Sequence, residues 1–322
     1  DPDFARQQIT VVETFARMGV TTTCTCTPYL IGNRPHLGDH VAWAESSAVS
    51  YANSVLGART NREGGPSALA AAIAGRTAAY GLHLPQNRRA TLIVNVRPPV
   101  RSLSDFGAVG YLVGRTARDR VPFFADLPVQ TDHQLKGLGA AMAASGAVPL
   151  FHVAGVTPEV LAGADVLAPD AERLIIDDLG PGYAALSACP TALQPERGPS
   201  DAKVDLVWIG CPHASLAEIE TVVAALAGRR VRSELWITVA RDVRQQAEAA
   251  GLVAAVEACS GKVVSDTCVV VAPVRELGFR TLATPSAKGA YYAPSHAGLA
   301  VYYGSLEECI DAAVEGRWPE KS

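Results

Sequence analysis

Apolar residues change their spacing repeatedly along this chain, and each change marks an element. From Asp3 to Met18 the positions Ile9, Val12, Phe15 and Ala16 recur at helical spacing, and Gly19 follows as a stop. Small-residue stretches over 42–58 and 66–79 predict two tightly packed helices flanking the polar loop 57–65, whose closing glycines permit backbone shapes other residues resist. The run 90–96 reads as a strand ended by Pro98 and Pro99. Strands over 121–125 and 148–153 enclose a helix over 135–145, and Thr157 with Pro158 reads as an N-cap followed by proline at the first helical position. A Pro-, Gly- and Ser-rich linker over 189–200 comes next.

Beyond it the alternation is cleaner. A strand over 204–209 precedes the capping-box pattern Ser215 to Glu218 and a helix over 217–227. A strand over 235–239, a helix over 242–258, strands over 262–267 and 298–303 and a last helix over 305–315 complete the series. This pattern predicts an α/β fold of parallel sheets with helices on both faces. At 322 residues the chain exceeds one ordinary core, so more than one lobe is expected, divided as 1–190 and 191–322.

Hydrophobic residues make up 48% of the chain and charged residues 19%, and no apolar stretch is long enough to span a bilayer, so a membrane role is not expected. A net charge of −4 with scattered Lys and Arg offers no basic field for nucleic acid. The first residues lack the apolar core of a secretory leader, so the chain is expected to be cytoplasmic or to have lost its leader. Its seven cysteines are then reduced, free to bind metal or to pack.

Three of those cysteines sit where a metal would want them. Cys211 and Cys268 each close a strand-like run, and ligands of open parallel sheets gather beyond the carboxyl ends of the strands. The Cys24-Thr-Cys26 turn supplies a third thiol, and Cys26 is favoured because it adjoins the Thr27-Pro28-Tyr29 turn. The sequence contains no Cys-x-x-Cys knuckle, which argues against a structural zinc, and three thiolates leave an open position suited to catalysis. Cys259 and Cys309 fall inside helical patterns and are assigned to the core, while Cys189 borders the linker without a motif. Polar density in an otherwise alanine- and valine-rich segment marks Glu45, Ser46, Ser47, Asn53, Arg59, Thr60 and Asn61. All but Glu45 are placed in a substrate-binding set with Lys288, Arg59 being a natural fork for a carboxylate. His83 and His213 are read as satisfied surface groups near turns.

The segments 24–29, 43–65, 209–213 and 265–268 together resemble the aconitase X family, over nearly the whole chain from Phe4 to Trp318. The resemblance implies an aconitase-like large subunit or domain with an iron–sulfur centre, [2Fe-2S] or [4Fe-4S], held by Cys26, Cys211 and Cys268. It implies a hydro-lyase that dehydrates a small hydroxy acid. The reading chosen is cis-3-hydroxy-L-proline to pyrroline-2-carboxylate, because the composition is rich in alanine and arginine and no phosphate-cradling glycine loop appears. Mevalonate 5-phosphate is the alternative, with Arg62 and Lys288 available to a phosphate, and a non-catalytic iron–sulfur or metal-binding module is the alternative of another class. Family members also carry a leading segment and require a small swivelling domain, fused or separate, that contributes the serine base. Neither is recognisable here, so the base is expected in further sequence or in a partner.

Overall fold

The computed structural model describes residues 2–129, 131–187 and 202–319; Cys189 and the linker predicted over 189–200 lie outside the described residues. Helix α1 (Pro2–Arg17) buries none of its residues, whereas α2 (Ser46–Ser54) buries all of them and α3 (Gly65–Ala74) ends at the left-handed Gly75. The predicted helices over 42–58 and 66–79 are thus present but shorter.

A first sheet follows, built from β1 (Ala90–Val96), α4 (Leu103–Ala117), β2 (Pro122–Phe124), α5 (Asp132–Gly146), β3 (His152–Val153), α6 (Pro158–Leu161) and β4 (Leu167–Ile176). Its strands run parallel in the order β3-β2-β1-β4. After α7 (Gly180–Leu186), a second parallel sheet is assembled from β5 (Leu206–Ala214), α8 (Leu216–Leu226), β6 (Glu234–Val239), α9 (Arg241–Ala249), α10 (Leu252–Ala258), β7 (Lys262–Ser265), β8 (Thr281–Thr284), α11 (Ala287–Tyr292), β9 (Ala300–Tyr303) and α12 (Leu306–Glu315). Its order is β7-β6-β5-β8-β9. The parallel α/β architecture expected from the alternating pattern is therefore what forms.

Side chains of β5 alternate between two cores, as the two-residue period of a strand requires. Leu206 and Trp208 join Phe106, Leu138 and Ala287 from α4, α5 and α11 in one cluster. Val207 and Ile209 join Ile219, Val243, Val256 and Ile310 from α8, α9, α10 and α12 in the other. Apolar residues on both faces give β5 its unbroken hydrophobic run. In β1 the even positions are buried and the odd ones half-buried.

Several elements escaped the sequence pattern. Helix α4 begins with a complete capping box from Ser102 to Asp105, but Gly107, Gly110 and Gly114 break its apolar stripe. Those glycines serve packing: a Cβ on Gly110 would stand 2.6 Å from the Leu138 carbonyl oxygen of α5. Strand β4 is largely exposed and therefore carries charged residues, and the short elements α7, β8 and α11 lack a readable period. The helix predicted over 242–258 breaks at Gly251, which adopts a left-handed conformation between α9 and α10. Among the described residues no helix is long and apolar enough to cross a membrane.

Arg88, just ahead of β1, fastens the early segment to the first sheet. Its guanidinium is buried and donates twice to Glu159 of α6, at 2.7 and 2.9 Å. It also donates to the Asn53 side chain and to the carbonyls of Asn53, Ala58 and Leu82, each at 3.1 Å. Replacing Arg88 with Met leaves Glu159 unpaired away from water, and a loss of about 3–5 kcal/mol is expected, measured as a lowered urea midpoint at unchanged slope.

Candidate active site at the strand ends

Cys211 is placed by the backbone before it. Gly210 has φ +105°, and a Cβ there would drive into the backbone carbonyl of Thr238 on β6, so only glycine permits this approach. Thr238 Oγ1 donates to the Gly210 carbonyl at 2.8 Å and accepts from Trp208 Nε1 at 2.9 Å, locking the end of β5 to β6. Ser286, the N-cap of α11, donates its hydroxyl to the Cys211 carbonyl and accepts from Gly289 N at 3.0 Å. Cys268 lies three residues past the end of β7, in a loop anchored by Arg241 donating to Asp266 at 2.5 and 3.0 Å.

Cys26 arrives from the opposite end of the sequence. The turn Pro28–Leu30 after it stacks Tyr29 on Tyr51 of α2, with ring centroids 3.7 Å apart and planes 9° from parallel. The His213 backbone N–H donates to Cys26 Sγ at 3.2 Å. Cys24 is exposed at φ +47°.

Cys26, Cys211 and Cys268 lie within electrostatic reach of one another and are free thiols. Burial pushes the Cys26 thiol up to about 11, although the Lys288 charge and the His213 N–H pull the other way. Burial likewise raises Cys211 strongly, again opposed by Lys288. Among the described residues no three His, Cys, Asp or Glu side chains close around a point as one metal ion would require.

Lys288, at the start of α11, reaches between these thiols and α2. Its ammonium pairs with Glu45 and donates to Ser47 Oγ at 3.0 Å. Burial opposes its charge, but Glu45 and the neighbouring Cys211 and Cys26 outweigh burial and keep it protonated. Glu45 is held below the usual carboxylate range: burial works against it, and the Lys288 charge and hydrogen bonds from Ser47 and Ala48 N prevail. As the N-cap of α2, Glu45 accepts from Ala48 N at 2.7 Å and Ser47 Oγ at 2.6 Å. Glu45 was absent from the substrate-binding set read from the sequence, and its signal was an acidic residue at a helix start.

The polar residues singled out in the sequence divide into two groups. Lys288 lies beside the thiols of Cys26 and Cys211, with Ser47 bonded to Lys288 and Ser46 next to Glu45. Asn53, Arg59, Thr60 and Asn61 instead form a seam between the end of α2 and the segment 80–84. Asn53 donates to the Thr60 and Pro149 carbonyls, each at 2.9 Å, and accepts from Thr60 N and Arg88. Thr60 accepts from Trp43 N at 3.0 Å, Asn61 clasps Tyr80 and Leu82, and Arg59 Nη1 donates weakly to the His83 carbonyl. Asn53 and Thr60 are thus buried parts of the scaffold. Both histidines read as surface groups are buried; His83 pairs with His40 Nδ1 at 2.9 Å, and His213 sits among the thiol-bearing loops. Cys259 and Cys309 lie in the second-sheet core as expected.

A cavity of about 410 Å³ opens beside Cys211 and Lys288, bounded by the starts of α4, α5 and α8. On its wall Lys136 pairs with Glu218 at 2.5 Å, His133 Nδ1 lies 3.6 Å from the same carboxylate, and Ser215 N donates to it at 2.8 Å. Burial raises the Glu218 carboxyl, but the Lys136 charge and these hydrogen bonds leave it net depressed. Its stabilising effect is therefore present above its ordinary value of 4.5 and lost as pH falls through the depressed folded value. The expected result is an unfolding midpoint that declines with acidification below about pH 4.5, with a shallower decline in Glu218→Gln, measured by urea titration at stepped pH.

Family models match in series: aconitase X first domain over residues 1–86, second domain over 90–179 and third domain over 204–315. The phosphomevalonate dehydratase large subunit of Methanothermobacter thermautotrophicus is 49% identical over 301 residues, 94% of this chain and 72% of that protein. Its namesake from Thermococcus kodakarensis is 43% identical over 315 residues, 97% of this chain and 78% of that protein. The cis-3-hydroxy-L-proline dehydratase of Pseudomonas aeruginosa is 38% identical over 314 residues, 94% of this chain and 52% of that protein. The crystal structure of Thermococcus kodakaraensis aconitase X in its holo-form superposes with a TM-score of 0.89 at 41% identity, covering 97% of this chain and 78% of that one.

Proposed function

Because the chain belongs to the aconitase X family, a family of dehydratases, we propose that it is the large-subunit part of a hydro-lyase acting on mevalonate 5-phosphate at an iron–sulfur centre. The observation that carries this reading is the approach of Cys26, Cys211 and Cys268 to one another, with the Lys288–Glu45 pair beside Cys26 and Cys211.

The donor set suits a cluster. Three free thiols approach one another at one site, as a cluster with three cysteine ligands requires. Cys26, Cys211 and Cys268 would hold it, and the exposed Cys24 would not. When bound, such a centre supplies a Lewis acid for the substrate hydroxyl, the poor leaving group of a dehydration. Lys288, kept cationic, binds an anionic group of the substrate, and Ser46 and Ser47 at the start of α2 orient it. Glu45 holds the Lys288 ammonium in place. Fixing the reacting groups in this way contributes on the order of 7–11 kcal/mol in the best cases. The cavity beside Cys211 has the volume of a small-ligand site and presents Lys136 and Lys288 at its wall.

Support for the substrate comes from the relatives. Those at 41–49% identity carry the phosphomevalonate name, and the two hydroxyproline dehydratases stand at 38% and 35%. The chain also spans about half of the hydroxyproline enzymes but 72–78% of these phosphomevalonate large subunits. These relations favour mevalonate 5-phosphate over cis-3-hydroxy-L-proline, the substrate preferred on composition, and the term large subunit implies a separate small partner.

The test is anaerobic reconstitution with iron, sulfide and the small subunit. We expect dehydration of mevalonate 5-phosphate with kcat/KM at least about a hundredfold above that for cis-3-hydroxy-L-proline. Iron-loaded protein that turns over neither acid and shows no spectral response to them would instead be a non-catalytic module. Ser at position 26, 211 or 268 is expected to abolish iron and sulfide retention, measured by metal and sulfide analysis, while Cys24→Ser retains both. Lys288→Met is expected to lower kcat/KM by about 10²–10³-fold in steady-state assays.

A further inference from the structure

Every polar atom of His213 is committed to a different part of the thiol site. Its backbone N–H donates to Cys26 Sγ at 3.2 Å, and its carbonyl accepts from Lys136 Nζ at 3.2 Å. Its ring contacts the residues just before Cys268 and Cys26. Nε2 lies 3.0 Å from the Thr267 carbonyl, one residue before Cys268, and Nδ1 lies 3.0 Å from Thr25 Oγ1, one residue before Cys26. His213 itself stands two residues after Cys211.

The partners dictate the tautomer. A carbonyl oxygen only accepts, so Nε2 carries the hydrogen, and Nδ1 is left to accept from the Thr25 hydroxyl. That hydroxyl oxygen in turn accepts from Thr27 N at 3.1 Å, which closes the Cys26 turn on itself. The ring is 3% exposed, so water offers little competition for these bonds.

We propose that His213 is the positioning residue that joins the three cysteine-bearing segments, 24–27, 210–214 and 265–268, into one site before any cofactor is present. The proposal rests on the ligand assignment given above. It assigns to the ring no contact with substrate and no proton transfer: the imidazole acts by pinning Thr25 and Thr267, and through them Cys26 and Cys268. Arg241 and the Tyr29–Tyr51 stack anchor the two segments separately, whereas the imidazole bonds both of them at once.

The experiment measures site-resolved alkylation rates of the metal-free protein by peptide mass spectrometry, alongside iron and sulfide content after reconstitution. His213→Ala is expected to speed alkylation of Cys26 and Cys268 by about tenfold, the effect of losing one or two buried hydrogen bonds. Cys259, in the second-sheet core, should be unchanged. Asn places its amide near the Nδ1 position and Gln near the Nε2 position, so His213→Asn should protect Cys26 and expose Cys268, and His213→Gln should do the reverse. Rates within twofold of wild type at both cysteines in His213→Ala would overturn the proposal, as would equal acceleration at Cys259, which signals general loosening. If the loop-specific pattern appears while wild-type protein retains no iron or sulfide, the positioning role stands and the iron–sulfur reading fails.

Discussion

A lysine drawn out of water among thiol groups stays charged only if a carboxylate accompanies it, and this constraint shapes the site. Lys288 and Glu45 are 243 residues apart, yet their pair closes the gap between α11 on the second sheet and α2 of the early segment. Desolvation alone would favour the neutral lysine. With Glu45 ionised beside it, the ammonium persists, and its field opposes the rise that burial imposes on Cys26 and Cys211. The field opposes that rise without reversing it, and both thiols stay above the ordinary cysteine value.

The surrounding architecture keeps the site rigid. Strand β5 is packed on both faces, by α4, α5 and α11 on one side and by α8, α9, α10 and α12 on the other, so its carboxyl end has little freedom. Cys211 within β5, Cys268 in the loop after β7 and Lys288 on α11 after β8 then come together. The Cys26 turn is attached from outside by the Tyr29–Tyr51 stack and by His213, while Arg88 ties the same early segment to the first sheet through Asn53 and Glu159. Hydrogen bonds thus do at the periphery what apolar packing does in the core.

Much of this was legible in the chain. The unbroken hydrophobic run of β5 announced a strand buried on both faces, although the strand continues through Cys211 to Ala214 rather than stopping before it. The capping box from Ser215 to Glu218 marked the helix that follows, and it forms with both reciprocal bonds. Other elements were hidden for physical reasons. The glycines that let α4 press on α5 erase the apolar stripe by which helices are recognised, and the exposed β4 carries charges because most of its residues meet no core. Thr60 and Asn61 show that residue types suited to anions also bond backbone groups, which periodicity alone does not reveal.

By itself the sequence determined which segments alternate as strand and helix, that the sheets are parallel, and which residue types bear reactive chemistry, because these follow from local periodicity and side-chain character. Tertiary structure alone decided which polar residues meet. Glu45 reached Lys288, Asn53 was taken by Arg88, and His213 came to bridge Thr25 and Thr267. Those partnerships depend on distances between segments remote in the chain. They are set when the cores pack and buried polar groups must find whatever partner the packing leaves within reach.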